Sequence, residues 1–161
     1  KMPLGELVDR SLPFIRKAGF LKGHEEERRS EIEAAVALEH EKIKHLTDVP
    51  NLIEFFFKDV VYDPASVEKV LKKPEVVDVL KDAVVTFEAL PTFTAASTEE
   101  ASKGLATKRG IKNAAVYHPV RVSVSGRTQG PSLFHMLEVL GRDRSLQRMR
   151  QTIDRLVAGS L

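Results

Sequence analysis

The residues most capable of chemistry in this sequence are arginines. Between His118 and Arg155 the chain carries Arg121, Arg127, Arg142, Arg144, Arg148, Arg150 and Arg155, and no lysine. A planar guanidinium forks onto phosphates and base edges, which the point charge of lysine does not. Within that stretch Gly126-Arg127-Thr128-Gln129-Gly130 is a polar loop that feeds into a helix start. A helix N-terminus offers unpaired N–H groups and the positive end of the dipole, a natural contact for an anion or a base edge. A plain interhelical turn beside a solvated basic face is the competing reading of the same residues.

Other chemistries fare poorly. No glycine loop of the phosphate-binding or dinucleotide type is present, and no serine sits in a nucleophile-elbow setting. His40-Glu41 is followed by a histidine at 45 rather than 44. Five residues turn the second imidazole about 140° away from the first on a helix, so a zinc pair is not expected. The carboxylates at Glu25-Glu26-Glu27 and Glu99-Glu100 read as solvated helix starts. With no cysteine, disulfides and thiolate chemistry are excluded.

The elements that must position the arginines are mostly helices. The chain has 161 residues, 42% hydrophobic and 30% charged, values that suit one globular domain or two small ones and argue against wholesale disorder. No apolar run approaches the roughly 20 residues of a membrane span. The sequence starts with Lys1, shows no secretory signal, and is expected to be part of something longer. Its net charge of +2 is uneven: 13 basic against 16 acidic residues over 1–80, 12 against 7 over 81–161, and 11 against 3 from 101 onward. A basic end on a near-neutral chain suggests a polyanionic partner.

A first helix is expected over Leu4 to Ala18, closed by Gly19. A second is expected from Ser30 to Leu46, with Ser30 and Glu33 as a capping box and Ile32, Val36, Ile43 and Leu46 on one stripe. The run Leu52-Ile53-Glu54-Phe55-Phe56-Phe57 reads as core rather than as a stacking surface. Asp63-Pro64 is a strong helix start. Pro74 opens a helix on which Val76, Leu80, Ala83, Phe87 and Leu90 repeat, and Pro91 stops it. Ser97 and Glu100 suggest another capping box, ahead of a helix running to Gly110 with Lys108 and Arg109 in its last turn. Gly130-Pro131 is expected to open a helix carrying Leu133, Phe134, Leu137 and Leu140, closed by Gly141, before a last helix with Leu146, Met149, Ile153 and Leu156. Breaks between subdomains are expected at 48–50, 62–64 or 91–92. Val120 to Ser125 alternates with period two and is β-branched, which by itself reads as a strand. A lone strand would have no partner, so a helix is suspected there.

The stretch Val120-Arg121-Val122-Ser123-Val124-Ser125-Gly126, then Gly130-Pro131-Ser132-Leu133, Leu140-Gly141 and Leu146-Gln147-Arg148-Met149 resembles the C-terminal, anticodon-binding region of bacterial-type glutamyl-tRNA synthetases. Upstream, Glu41-Lys42-Ile43-Lys44-His45-Leu46 with Phe55-Phe56-Phe57, and the Gly110-Ile111-Lys112-Asn113 turn, are similar to further family segments. The likeness covers essentially the whole chain and is strongest from 97 onward.

The resemblance implies an all-α, two-subdomain helical cage, divided here as 1–61 and 62–161, in which 120–125 is helical. It implies a cytoplasmic, monomeric, membrane-free protein that grips the anticodon loop of tRNA-Glu. Glutamate activation with ATP and Mg²⁺ would occur in a catalytic domain of the same parent chain, and no cofactor is expected in this part. Arg121 matches an arginine that contacts anticodon bases, with Arg127 and Gln129 in the adjoining loop. Gly130, Pro131 and Leu133 match the turn that packs against the anticodon loop. Lys42, or Lys44 if the match shifts by two residues, falls where many members carry an arginine that reads the third anticodon base. Lysine keeps the charge and loses the fork, which leaves room for tRNA-Gln as well. A stand-alone helical protein-interaction module with a basic face is the alternative expectation.

Overall fold

The computed structural model describes residues 2–161, and among them every regular element is helical. The chain divides into two compact units, one ending at Asp59 and the other spanning Val60–Leu161.

The first unit holds α1 (Leu4–Ala18), α2 (Arg29–Glu39) and the short α3 (Val49–Ile53). Helix α1 buries Leu7, Val8, Leu12 and Ile15 on one stripe. It ends as its sequence predicts, with Gly19 left-handed at φ 79° and its N–H returning to the carbonyl of Ile15. Ile32, Ala35 and Val36 of α2 and Val49, Pro50 and Ile53 of α3 complete this core. The aromatic run divides. Phe56 is buried, whereas Phe57 is half-buried, stacked on Phe20 at 5.8 Å and covered by the Arg28 guanidinium 4.7 Å from its centroid.

Helix α2 is shorter than its periodicity suggests. It ends at Glu39, followed by single 3-10 turns at His40–Lys42 and Leu46–Asp48. The cause is Asp48, whose Oδ2 accepts from the backbone N–H groups of Lys44 at 3.1 Å and His45 at 2.9 Å. A continued α-helix would have needed those amides. Ser30 and Glu33 form no capping box, because α2 starts one residue earlier with Arg28 at the N-cap, which puts Ser30 inside the helix, and the Glu33 carboxylate is held by Arg29 Nε at 2.8 Å. Glu25 is also buried rather than solvated.

In the second unit α4 (Pro64–Ser66) runs into a π-helical turn at Val67–Leu71, followed by α5 (Val76–Glu88), α6 (Ala95–Arg109), α7 (Asn113–Ser125), α8 (Leu133–Leu140) and α9 (Arg142–Ala158). Asp63 caps α4 as expected, accepting from the Ser66 N–H at 3.0 Å. The capping box of α6 lies earlier than expected. Thr94 and Ser97 exchange side-chain and backbone bonds, so the helix starts at Ala95. Gly130-Pro131 precedes α8 without opening it, since Ser132 occupies the N-cap.

Helix α7 is the central element of this unit and packs against α5, α6, α8 and α9. That environment explains why a strand-like sequence is helical. Val120, Val122, Ser123 and Val124 are all fully buried, so tertiary packing overrides β propensity. The two serines suit the helix: Ser123 Oγ donates to the Pro119 carbonyl at 2.7 Å and Ser125 Oγ to that of Arg121 at 2.8 Å. Gly126 ends α7 at φ 79°, where a Cβ would lie 2.1 Å from the Val61 carbonyl oxygen. Glycine is therefore required, both for the left-handed backbone and for the close approach of the chain at Val61.

Candidate nucleic-acid interface

Arg121 projects from α7 beneath the loop that joins α7 to α8. Its Nη1 donates to the Pro131 carbonyl at 2.7 Å, and a Cβ on Gly130 would lie 3.4 Å from the same nitrogen. Burial pushes the guanidinium below its ordinary pKa, and no charged neighbour opposes that shift. No carboxylate pairs with Arg121 among the described residues, so its charge is desolvated but not cancelled.

Arg121 lines a depression of about 580 Å³ together with Glu99, Tyr117, His118, Leu133 and Phe134, and the Glu99 carboxylate there is 3.2 Å from Lys103 Nζ. Tyr117 stands one helical turn before Arg121 and meets Phe134 edge-on, ring centroids 4.9 Å apart. The Tyr117 hydroxyl is buried without a hydrogen-bond partner among the described residues. Of these groups the half-buried Arg121 guanidinium is the one open to a ligand, and the packed rings of Tyr117 and Phe134 form the wall beside it. The i, i+4 spacing of Tyr117 and Arg121 was the sequence signal for this pair, hidden because the segment reads locally as a strand.

Leu133 and Pro131 are buried at the base of the loop, and Gly130 is exposed. Arg127 and Gln129 are exposed on the loop, with Gln129 lining a second groove across α7. Lys42 and Lys44 belong to the first unit. Lys42 is exposed in the 3-10 turn after α2, its Nζ 3.6 Å from the buried carboxylate of Glu39. Lys44 is exposed beside His40 and His45 in a shallow depression. No group of three or more His, Asp or Glu residues able to hold a metal occurs among the described residues.

The arginine cluster is smaller as a binding surface than the sequence suggests. Arg148 is 7% exposed and donates to the Val124 carbonyl at 2.7 Å. Arg144 donates to the carbonyl of Leu140 at 2.8 Å, and Arg142 to that of Leu90. Arg155 holds the Ser160 carbonyl at 2.8 Å and covers Tyr62, while Arg150 pairs with Glu88. These five arginines tie the helices of this unit together, leaving Arg121 and Arg127 as the cluster's members at the loop.

Fold and site together define an all-helical module with a half-buried, carbonyl-held guanidinium at the loop between α7 and α8. The chain belongs to the anticodon binding domain family, whose model matches residues 6–153. It is 39% identical over 149 residues to the glutamate–tRNA ligase of Elusimicrobium minutum, covering 92% of this chain and 30% of that protein. It is 35% identical over 152 residues to glutamate–tRNA ligase 2 of Thermoanaerobacter pseudethanolicus, covering 94% of this chain and 31% of that one. This chain thus spans under a third of the length of these curated relatives. The fold also matches the crystal structure of a glutamate tRNA ligase from Elizabethkingia meningosepticum in complex with its amino acid, with a TM-score of 0.77 at 22% identity, covering 95% of this chain and 31% of that one.

Proposed function

We propose that this chain holds the anticodon loop of tRNA-Glu for a glutamate–tRNA ligase, whose ATP- and Mg²⁺-dependent chemistry resides in a catalytic domain of the same parent chain. In this reading the two compact units are the two subdomains of the anticodon-binding region, acting as a monomer in the cytoplasm. The observation that carries it is the Arg121 guanidinium, half-buried, without a carboxylate partner among the described residues, and adjacent to Tyr117 and Phe134. An anticodon loop supplies what such a site lacks, namely splayed bases with free Watson–Crick edges and a nearby phosphate. Lys42, or Lys44, contributes charge from the first unit without a fork, so discrimination between tRNA-Glu and tRNA-Gln is relaxed relative to an arginine at that position.

Fluorescence anisotropy with tRNA-Glu, tRNA-Gln and an unrelated tRNA at two salt concentrations tests the reading. A preference for tRNA-Glu over the unrelated tRNA should survive the higher salt. Arg121→Ala should erase most of it, a loss of about 1–3 kcal/mol for one base contact. Binding equal for all three tRNAs and unchanged by Arg121→Ala would overturn the proposal, and absence of binding at low salt would favour a protein partner.

A further inference from the structure

The adjoining flank of α7 carries a second groove, of about 560 Å³, with different chemistry. Its rim bears Lys69, Lys73 and Lys112, all exposed, with Glu75 as its one carboxylate. The lysines that do form ion pairs are Lys42, Lys58 and Lys103, and none of the three rim lysines has such a partner among the described residues. The floor is aliphatic, with Val70, Ile111 and Pro119, and the exposed His118 is the one ring among the lining residues. Pro119 has no N–H to give the Ala115 carbonyl, so the helix there withholds one of its usual internal bonds.

We propose that this groove holds the ribose–phosphate backbone of the RNA strand whose bases are read at Arg121. The inference rests on that reading of Arg121 and adds a second contact region. Ammonium point charges suit phosphates without regard to sequence, whereas the fork and rings across α7 suit bases. An aliphatic floor without Phe, Tyr or Trp accommodates ribose faces better than it stacks a run of bases. The Ala115 carbonyl offers an acceptor for a ribose 2′-hydroxyl. The grooves adjoin, since Ala114 and His118 line both. The loop spans them as well, with Gln129 on the lysine side and Ser132 on the Arg121 side. A strand crossing α7 would therefore pass from base readout to backbone contact within one unit.

The test is the salt dependence of tRNA binding by the full chain carrying Lys69→Gln, Lys73→Gln and Lys112→Gln together, with the thermal melt checked for an intact fold. Affinity should fall at least tenfold at low salt, equally for tRNA-Glu and an unrelated tRNA. The slope of log K against log salt should shrink by about 2, near 0.7 for each of three lost phosphate contacts on a single strand. Lys81→Gln on α5, outside the groove, should alter the slope by less than one such contact. An unchanged slope in a folded triple variant would overturn the groove proposal. So would loss of tRNA-Glu preference with unchanged affinity for the unrelated tRNA. If Arg121→Ala leaves the preference intact while the triple variant reduces the slope, the reading of Arg121 fails and the groove stands as a general polyanion track.

Discussion

Arginines in the two units are partnered differently. In the first, Arg10, Arg16, Arg28 and Arg29 all pair with carboxylates, those of Glu6, Glu26, Glu31, and both Asp9 and Glu33. In the second, Arg121, Arg142, Arg144, Arg148 and Arg155 each donate to a main-chain carbonyl, and Arg109 and Arg150 pair with acids. A carboxylate cancels the cation it binds. A neutral carbonyl fixes the guanidinium in place and leaves its charge uncancelled. At Arg121, where burial is the only influence on the guanidinium, the cation is thus fixed by packing and keeps its charge.

The contrast breaks most visibly at Arg148. Removing a buried guanidinium strands the Val124 carbonyl and opens a cavity, so Arg148→Ala should lower stability by about 3 kcal/mol in a denaturant titration. A loss close to zero would mean that the carbonyl contacts are incidental.

Acid should separate the units next. The backbone N–H of His45, and then that of Lys44, hold the Asp48 carboxyl below its ordinary value of 3.8. A depressed folded-state pKa gives stability that is fully present above the ordinary value and is lost as pH falls through the folded one. Hydrogen exchange at residues 44–48 should therefore accelerate as pH drops below about 4, with no matching change at Val124 or Leu140, whose carbonyl contacts do not titrate. Asp48→Asn should flatten that dependence.

The smallest effect belongs to the exposed pairs. Arg29 is raised above its ordinary pKa chiefly by its bond to Asp9, then by Glu33. Arg29→Ala should cost little, and the difference from the parent chain should vanish near about 1 M salt, where screening is nearly complete. Arg148→Ala should keep its deficit in the same buffer.

Which parts of this structure could be read in advance follows from how local their causes are. Helix α1 and the start of α4 answer to residues within a turn of themselves, Gly19 in one case and Asp63-Pro64 in the other. Helix α5 shows its buried face in its own spacing. Helix α7 does not, because residues 122–125 are buried in succession and its last turn shows no polar face to advertise its period. The end of α2 was illegible because the side chain that stops it lies beyond the stop, at Asp48. In the candidate site Arg121 was legible through family resemblance, while Tyr117 was not singled out. The arginines of α9 misled for a related reason, since their carbonyl partners at Leu90 and Val124 are far away in sequence.

The loop between α7 and α8 is fastened along its whole length. Asp63 N–H donates to the Gly126 carbonyl at 2.8 Å, and Thr128 N–H to Ser66 Oγ at 3.3 Å. Arg127 N–H donates to Ser125 Oγ at 3.3 Å, and Arg121 Nη1 to the carbonyl of Pro131. A loop already ordered has little conformational entropy left to lose to any ligand it meets. Under the proposed function, free energy that a floppy loop would spend on its own ordering would stay in the complex, and association would need no slow folding step first.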